Sequence, residues 1–249
     1  MNQELIKRLR EKESKMIEIR RYLHEHPELS FHETETPQYI ADFYKEKDCD
    51  VETNVGPNGV KVTIDSGKPG KTIAIRADFD ALPIEEQTGL SFASKNKGVM
   101  HACGHDAHTA YMLILGETLI EMKEQFKGKV VIIHQPAEEI PPGGAQGMIK
   151  DGVLEGVYHV LGAHVMSTME AGKVFYKEGY VQTGRAYFKL VVQGKGGHGS
   201  SPHMANDAIV AGSNFVTTAQ TVVSRRLNPF ETGVVTIGSF DGKGQFNVI

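Results

Sequence analysis

Leu5, Leu9, Met16, Ile19 and Leu23 recur at spacings of three, four and seven residues, which predicts an amphipathic helix over residues 3–25, ended by Pro27. A second helix is predicted over Thr36–Lys47, with Pro37 at its first position, where a missing N–H costs nothing. Four short, nearly continuous apolar runs then read as strands: "GVKVTI" (59–64), "KTIAIRAD" (71–78), "GKVVIIHQ" (128–135) and "VYHVLGAHV" (157–165). Between the second and third runs, "HTAYMLILGETLIEMKE" reads as a long helix; between the third and fourth, "GAQGMIKDGVLEG" reads as a shorter one. Strands apolar on both sides and alternating with helices define an α/β fold: a largely parallel sheet covered by helices on both faces.

The texture changes near residue 178. "GRAYFKLVVQG" (184–194) and "ETGVVTIGSF" (231–240) read as strands, flanking the glycine-rich turn "GKGGHGSSPH" and a helix in "NDAIVAGSNFVTTAQTVVSRRL" capped by Asn206 or Asp207. The expected organisation is one domain over 1–177 and a second, smaller and incomplete α+β domain over 178–249.

Composition narrows the function classes. The 249 residues are 40% hydrophobic, enough for one large domain or two modest ones. A formal net charge of −4 leaves no basic stripe for nucleic acid. No apolar run is long enough to span a bilayer, and the charged N-terminus lacks the apolar core of a secretory signal. Cys49 and Cys103 sit in unlike contexts and form no disulfide framework, so a cytoplasmic protein with reduced thiols is expected.

Chemistry gathers at the strand ends, where α/β sheets collect their functional groups. The run at 71–78 ends in Asp78, with Asp80 just beyond; the run at 128–135 leads into Glu138 and Glu139; the run at 157–165 carries His164 at its end. Cys103 and His105 stand just before the long helix, on the same edge. Each group alone has an ordinary reading: a turn cap, a solvated acid, a satisfied histidine, a small buried thiol. Their joint placement points instead to a metal site. Adjacent acids put one carboxylate on a metal and leave its neighbour free as a base. A mixed Cys, His and Glu set suits Zn and tolerates Mn, Co or Ni. His101, His108 and His134 keep ordinary readings, as local hydrogen-bonding or supporting groups.

The stretches "RRYLHEHPELSFHETET", "RADFDALPIEEQTG", "MHACGHDAHTA", "HQPAEE", "GAHV" and "GKGGHGSSPH" together resemble the M20 metallopeptidase family, in its aminoacylase/hippurate-hydrolase branch of N-acyl-amino-acid amidohydrolases. The resemblance implies a zinc-exopeptidase-like catalytic domain (1–177) holding two divalent metal ions, Zn, Mn, Co or Ni, and a partial lid and dimerisation domain (178–249). It implies Cys103, His105, Glu139 and His164 as metal ligands, Glu138 as general base and Asp78 as the acid that orients the site. It implies His198 as a lid histidine that reaches an active site, often across a homodimer. The family also uses a further metal-binding histidine far downstream, and no histidine follows His203 here. The second metal site is therefore expected to be incomplete and hydrolysis by these residues poor.

The expected reaction is hydrolysis of the amide bond of small N-acyl amino acids by a metal-activated water. Alternatives are a dipeptidase or carboxypeptidase of the same family, a truncated metal-binding fragment without activity, and a hydrolase with Cys103 as nucleophile. The last is disfavoured, because a thiol nucleophile needs no strand-end carboxylates.

Overall fold

The computed structural model describes residues 2–182 and 184–249. They fall into two units, Met1–Met169 and Glu170–Ile249, each described by itself.

The first unit is built on a five-stranded mixed sheet: β1 (Asp50–Val55), β2 (Gly59–Asp65), β3 (Thr72–Asp78), β4 (Lys129–Gln135) and β5 (Val157–Gly162), in the order β1-β2-β4-β3-β5. β3 runs parallel to β4 and β5; β2 runs antiparallel to β1 and β4. The four apolar runs became β2 to β5. β1 escaped the sequence reading because "DVETNV" is an edge strand whose side chains, apart from Val51 and Val55, are polar and mostly exposed.

Strand residues alternate between two packed faces. One face brings Ile132 of β4 and Val60, Val62 and Ile64 of β2 against Ile19, Leu23, Ile40, Tyr44 and Leu113, while the other packs Ala74, Val131 and Ile133 against Met148 and Val153. Fully burying one such side chain is worth roughly 1.5–3 kcal/mol. Helices α1 (Asn2–Glu11), α2 (Glu13–Glu25), α3 (Glu35–Tyr44) and α4 (His105–Glu121) supply the first face, and α5 (Gly144–Lys150) the second.

Three helix boundaries differ from expectation. The first helix divides at Lys12, whose ammonium reaches Glu117 (3.2 Å) and Glu121 (2.5 Å) of α4. α3 starts at Glu35 because Glu28 caps it from upstream: one oxygen accepts the N–H groups of Thr34 and Glu35, the other that of Thr36. Pro37 falls within the first turn, where it is tolerated. α4 begins at His105 rather than His108, because Gly104 turns the chain with φ +98°. A Cβ at Gly104 would lie 2.4 Å from Val165 Cγ2, so the close approach of the His164 segment also demands glycine.

In the second unit, α6 (Ala208–Ala219) and α7 (Thr221–Arg226) realise the expected helix, divided at Gln220. Asp207 caps it, its Oδ1 accepting the N–H groups of Ile209 (2.9 Å) and Val210 (3.0 Å). The strands expected over 184–194 and 231–240 are not formed among the described residues, where pairing is limited to the single bridges Lys195–Asn206 and His198–Val248. An alternating pattern makes a strand only when a partner backbone takes up its N–H and C=O groups, and neither segment has one. Among the described residues no helix is long and apolar enough to cross a membrane.

Candidate metal centre

The C-terminal ends of three strands and the first turn of α4 bring the candidate donors of the first unit to one rim. Three overlapping groups can each converge on a point, with ligand atoms within 4.8 Å of one another: Cys103, His105 and His164; His105, Glu138 and Glu139; and Asp78, His105 and His108. His105 belongs to all three.

His105 is fully buried, and its orientation is fixed from behind. Its Nδ1–H donates to the backbone oxygen of Asp80 (2.8 Å) and lies 3.2 Å from Asp80 Oδ1. Nε2 therefore carries the free lone pair and faces the rim. It lies 3.6 Å from Asp78 Oδ2 and 3.8 Å from Glu139 Oε1, too far for hydrogen bonds. His105 Nε2 and Glu139 Oε1 are both buried without a hydrogen-bond partner. Ligand atoms on a tetrahedral ion with bonds of 2.0–2.1 Å stand about 3.4 Å apart. Buried, unpartnered and spaced in this way, these donors fit a divalent ion. A carboxylate or carbonyl behind a ligating imidazole is the usual means of holding its tautomer.

Cys103 Sγ lies 3.3 Å from His164 Nε2. The other His164 nitrogen, Nδ1, donates to the Val165 backbone oxygen (2.5 Å), so Nε2 is again the atom left facing the rim. Burial, then the Glu139 carboxylate, and behind it Asp78 and Glu138, push the Cys103 thiol up to about 12. A thiol so placed stays protonated at neutral pH unless a cation replaces the proton, which argues against a free thiolate nucleophile.

Asp78 works from behind the rim. Its Oδ1 accepts the Nδ1–H of His108 (2.6 Å), and Arg76 Nη1 stands 2.7 Å from its Oδ2 as an ion pair without hydrogen-bond alignment. Burial alone would raise the Asp78 carboxyl, but His108, His105 and Arg76 outweigh it and hold Asp78 well below the usual carboxylate range. His108 has both nitrogens engaged, since its Nε2 accepts the Val165 N–H (2.9 Å). It therefore links Asp78 to the backbone beside His164, a supporting role that its position on the first turn of α4 makes visible only once the turn is built.

His101 and His134 do not act as hydrogen-bonding groups through every nitrogen. His101 Nδ1 has no partner, and neither nitrogen of His134 has one. Burial pushes His134 down to about 3, so it sits neutral in the core against Tyr44, ring centroids 5.9 Å apart. His198 lies in the second unit, where its Nδ1 is 2.8 Å from Ser200 Oγ.

Sequence reasoning noted Asp80 but gave it no role, and missed Ser30 and Glu33. Their signal was the stretch "HPELSFHETET", whose polar residues fold back under the strand ends.

Residues 74–231 match the model of peptidase family M20/M25/M40, and the chain belongs to that family. It is 40% identical over 250 aligned residues to an N-acyl-L-amino acid amidohydrolase of Geobacillus stearothermophilus, covering 100% of this chain and 68% of the relative. It is 41% identical to thermostable carboxypeptidase 1 of Saccharolobus solfataricus, covering 97% of this chain and 62% of that protein. Among solved structures, a chain from methicillin-resistant Staphylococcus aureus is 81% identical (TM-score 0.83), with 100% of this chain and 64% of that one covered. The YxeP protein of Bacillus subtilis, a dinuclear metal-binding peptidase of the M20 family, is 47% identical (TM-score 0.58), with 61% of this chain and 42% of that one covered. The chain spans between 57% and 68% of the length of the curated relatives it matches.

Proposed function

We propose that this chain carries the metal-binding part of an amidohydrolase that cleaves the amide bond of small N-acyl amino acids. The observation that carries this reading is the pair of buried, unpartnered donors, His105 Nε2 and Glu139 Oε1, at a rim shared with Cys103 and His164. Cys103, His105, Glu139 and His164 are the proposed ligands of a divalent pair drawn from Zn, Mn, Co or Ni. When bound, such ions supply Lewis acidity that brings the pKa of water toward about 7 and polarises a carbonyl oxygen.

The chain's own residues do the rest. The Glu138 carboxylate takes a proton from the attacking water and returns it to the leaving nitrogen. Its neighbour Glu139 is committed to the metal side, so the two adjacent acids divide the work. Asp78, through His108, holds the backbone beside His164. The second unit is proposed to serve as lid and dimer contact, with His198 donating to the oxyanion from a second copy of the chain. Products are a carboxylic acid and a free amino acid. The carboxypeptidase relative supports a second reading, in which the acyl group is itself an aminoacyl residue and the substrate a dipeptide.

The test is kcat/KM on a panel of N-acetyl amino acids and dipeptides with Zn, Mn, Co or Ni added, then with a chelator. Metal-dependent release of free amino acid from N-acetyl substrates, abolished by chelation, is the expected result. Preference for dipeptides selects the second reading. Chelator-resistant hydrolysis that thiol alkylation stops would overturn both.

A further inference from the structure

We propose that His24 is a proton-operated latch that ties the surface loop of residues 83–99 to the first turn of α4. The latch goes beyond the proposed hydrolysis and does not depend on metal at the rim.

The loop leaves the chain at Leu82 and returns at Met100, where the two residues exchange both backbone hydrogen bonds (3.0 Å each). Rim residues flank it on both sides, Asp80 before it and Cys103 after it. Between these ends it forms no helix and no strand, and its apolar side chains are at most partly buried. With so little apolar burial, a loop of this kind stays closed through polar ties. At its far end the ties run to backbone oxygens: the Lys95 N–H donates to Glu25 (2.9 Å) and Asn96 Nδ2 to Pro27 (2.8 Å). The near end is tied by Glu86. One of its oxygens accepts the Ser94 N–H (2.6 Å); the other accepts the Thr88 hydroxyl and stands 3.2 Å from His24 Nε2.

His24 is buried on α2, 4% exposed, and its other nitrogen, Nδ1, lies 2.9 Å from Asp106 Oδ2. Each ring nitrogen thus faces a carboxylate, and an ionised carboxylate only accepts. A neutral imidazole has one N–H and one lone pair, whereas an imidazolium has two N–H groups. Only the protonated ring donates to Asp106 and Glu86 together. The surroundings favour that form. The Asp106 hydrogen bond, against the opposing effect of burial, and then Glu86 hold the imidazole above its ordinary 6.5. Arg20 also faces the cluster, its Nε donating to the same Asp106 oxygen (3.1 Å). Phe92 of the loop meets the His24 ring edge-on at 5.6 Å, with Arg21 over Phe92 at 5.0 Å. The His101 ring lies 6.4 Å away, and burial pushes it down to about 4, so it adds no charge.

When the proton leaves His24, one of its two contacts is lost. Nδ1 keeps its proton, being closer to its carboxylate, and Nε2 then turns a lone pair toward Glu86. The side facing the loop is released while the side facing α4 holds.

The experiment is amide hydrogen exchange of the whole chain from about pH 6 to about pH 9.5, expressed as protection relative to intrinsic exchange. The reporters are the amides of 84–94, Ser94 above all, with the β1–β2 hairpin as internal reference. The chains compared are the unsubstituted one, His24→Gln and Glu86→Gln. The Gln amide at position 86 can donate to a neutral Nε2, so that latch no longer needs the proton. In the unsubstituted chain, loop protection should fall by about tenfold or more as pH rises, while the hairpin stays protected. His24→Gln should show the low value throughout, and Glu86→Gln should lose the pH dependence. A His24 that merely fills space would lower protection on substitution without making it depend on pH. A loop that loses no more protection than the hairpin, or the same fall persisting in His24→Gln or Glu86→Gln, would overturn the latch. Should a variant fail to fold, the comparison of loop with hairpin in the unsubstituted chain decides.

Discussion

Nδ1 of His105 lies 2.8 Å from the backbone oxygen of Asp80, and that contact decides which nitrogen faces the rim. His164 repeats the device with the Val165 backbone oxygen, so both imidazoles turn Nε2 toward the rim. A metal binds an imidazole through an unprotonated ring nitrogen.

Cys103 has a proton to lose, since burial and the nearby carboxylates push its thiol up to about 12. Metal binding should therefore release a proton and tighten as pH rises. Zinc titration in a weakly buffered indicator solution should show protons released as the ion binds at this site. Cys103→Ser should release fewer protons and bind zinc more weakly. Equal proton release in both chains would remove Cys103 from the ligand set.

Glu138→Gln should keep the fold and the metal while losing turnover. The amide preserves the shape and loses the proton acceptor. Removal of a general base costs on the order of 10²–10⁴-fold in rate. The measurement is kcat on the best N-acetyl amino acid, with metal content determined on the same sample. Near-normal kcat would assign the base elsewhere.

Glu33 makes stability depend on pH. Burial pushes its carboxyl from the ordinary 4.5 up to about 7, with Asp80 and Glu28 adding to the rise. The native state then holds this proton at pH values where the unfolded chain has released it. Below pH 4.5 both states are protonated and nothing is lost. Between pH 4.5 and about 7 the native state binds more protons than the unfolded one, so stability falls as pH rises and then levels off. The fall attributable to Glu33 amounts to about 3 kcal/mol at most. Glu33→Gln imitates the protonated side chain and should flatten this slope. Urea unfolding from pH 5 to 8 checks it; identical slopes in both proteins contradict the assignment.

His198 is tested by mixing. If it acts from a second copy of the chain, dimers formed from His198→Ala and Glu138→Gln chains should recover activity that neither parent has. Dimers that form and stay inactive would count against action across subunits.

Much of this was legible in sequence, and the reasons differ by element. β2 to β5 announced themselves because strands buried on both faces leave continuous apolar runs. β1 did not, because an edge strand buries little. α3 started early because its cap, Glu28, lies well upstream, and no local pattern reports such a reach. The gathering of Cys103, His105, Glu139 and His164 at one rim follows from where strands end. Asp80, Ser30 and Glu33 were not legible as partners, since their hydrogen bonds join segments about fifty to a hundred residues apart. In the second unit the alternation over 184–194 was legible, but a strand needs a neighbour, and sequence alone does not supply one.

The central claim is that Cys103, His105, Glu139 and His164 hold divalent metal at one rim. It is tested most directly by anomalous diffraction from crystals of this chain grown with zinc, collected above and below the zinc edge. The account predicts an anomalous peak about 2.0–2.1 Å from His105 Nε2 or His164 Nε2 and about 2.3 Å from Cys103 Sγ, with a Glu139 oxygen in the same coordination shell. Zinc bound only at other sites, with this rim free of anomalous signal at full zinc loading, would contradict it.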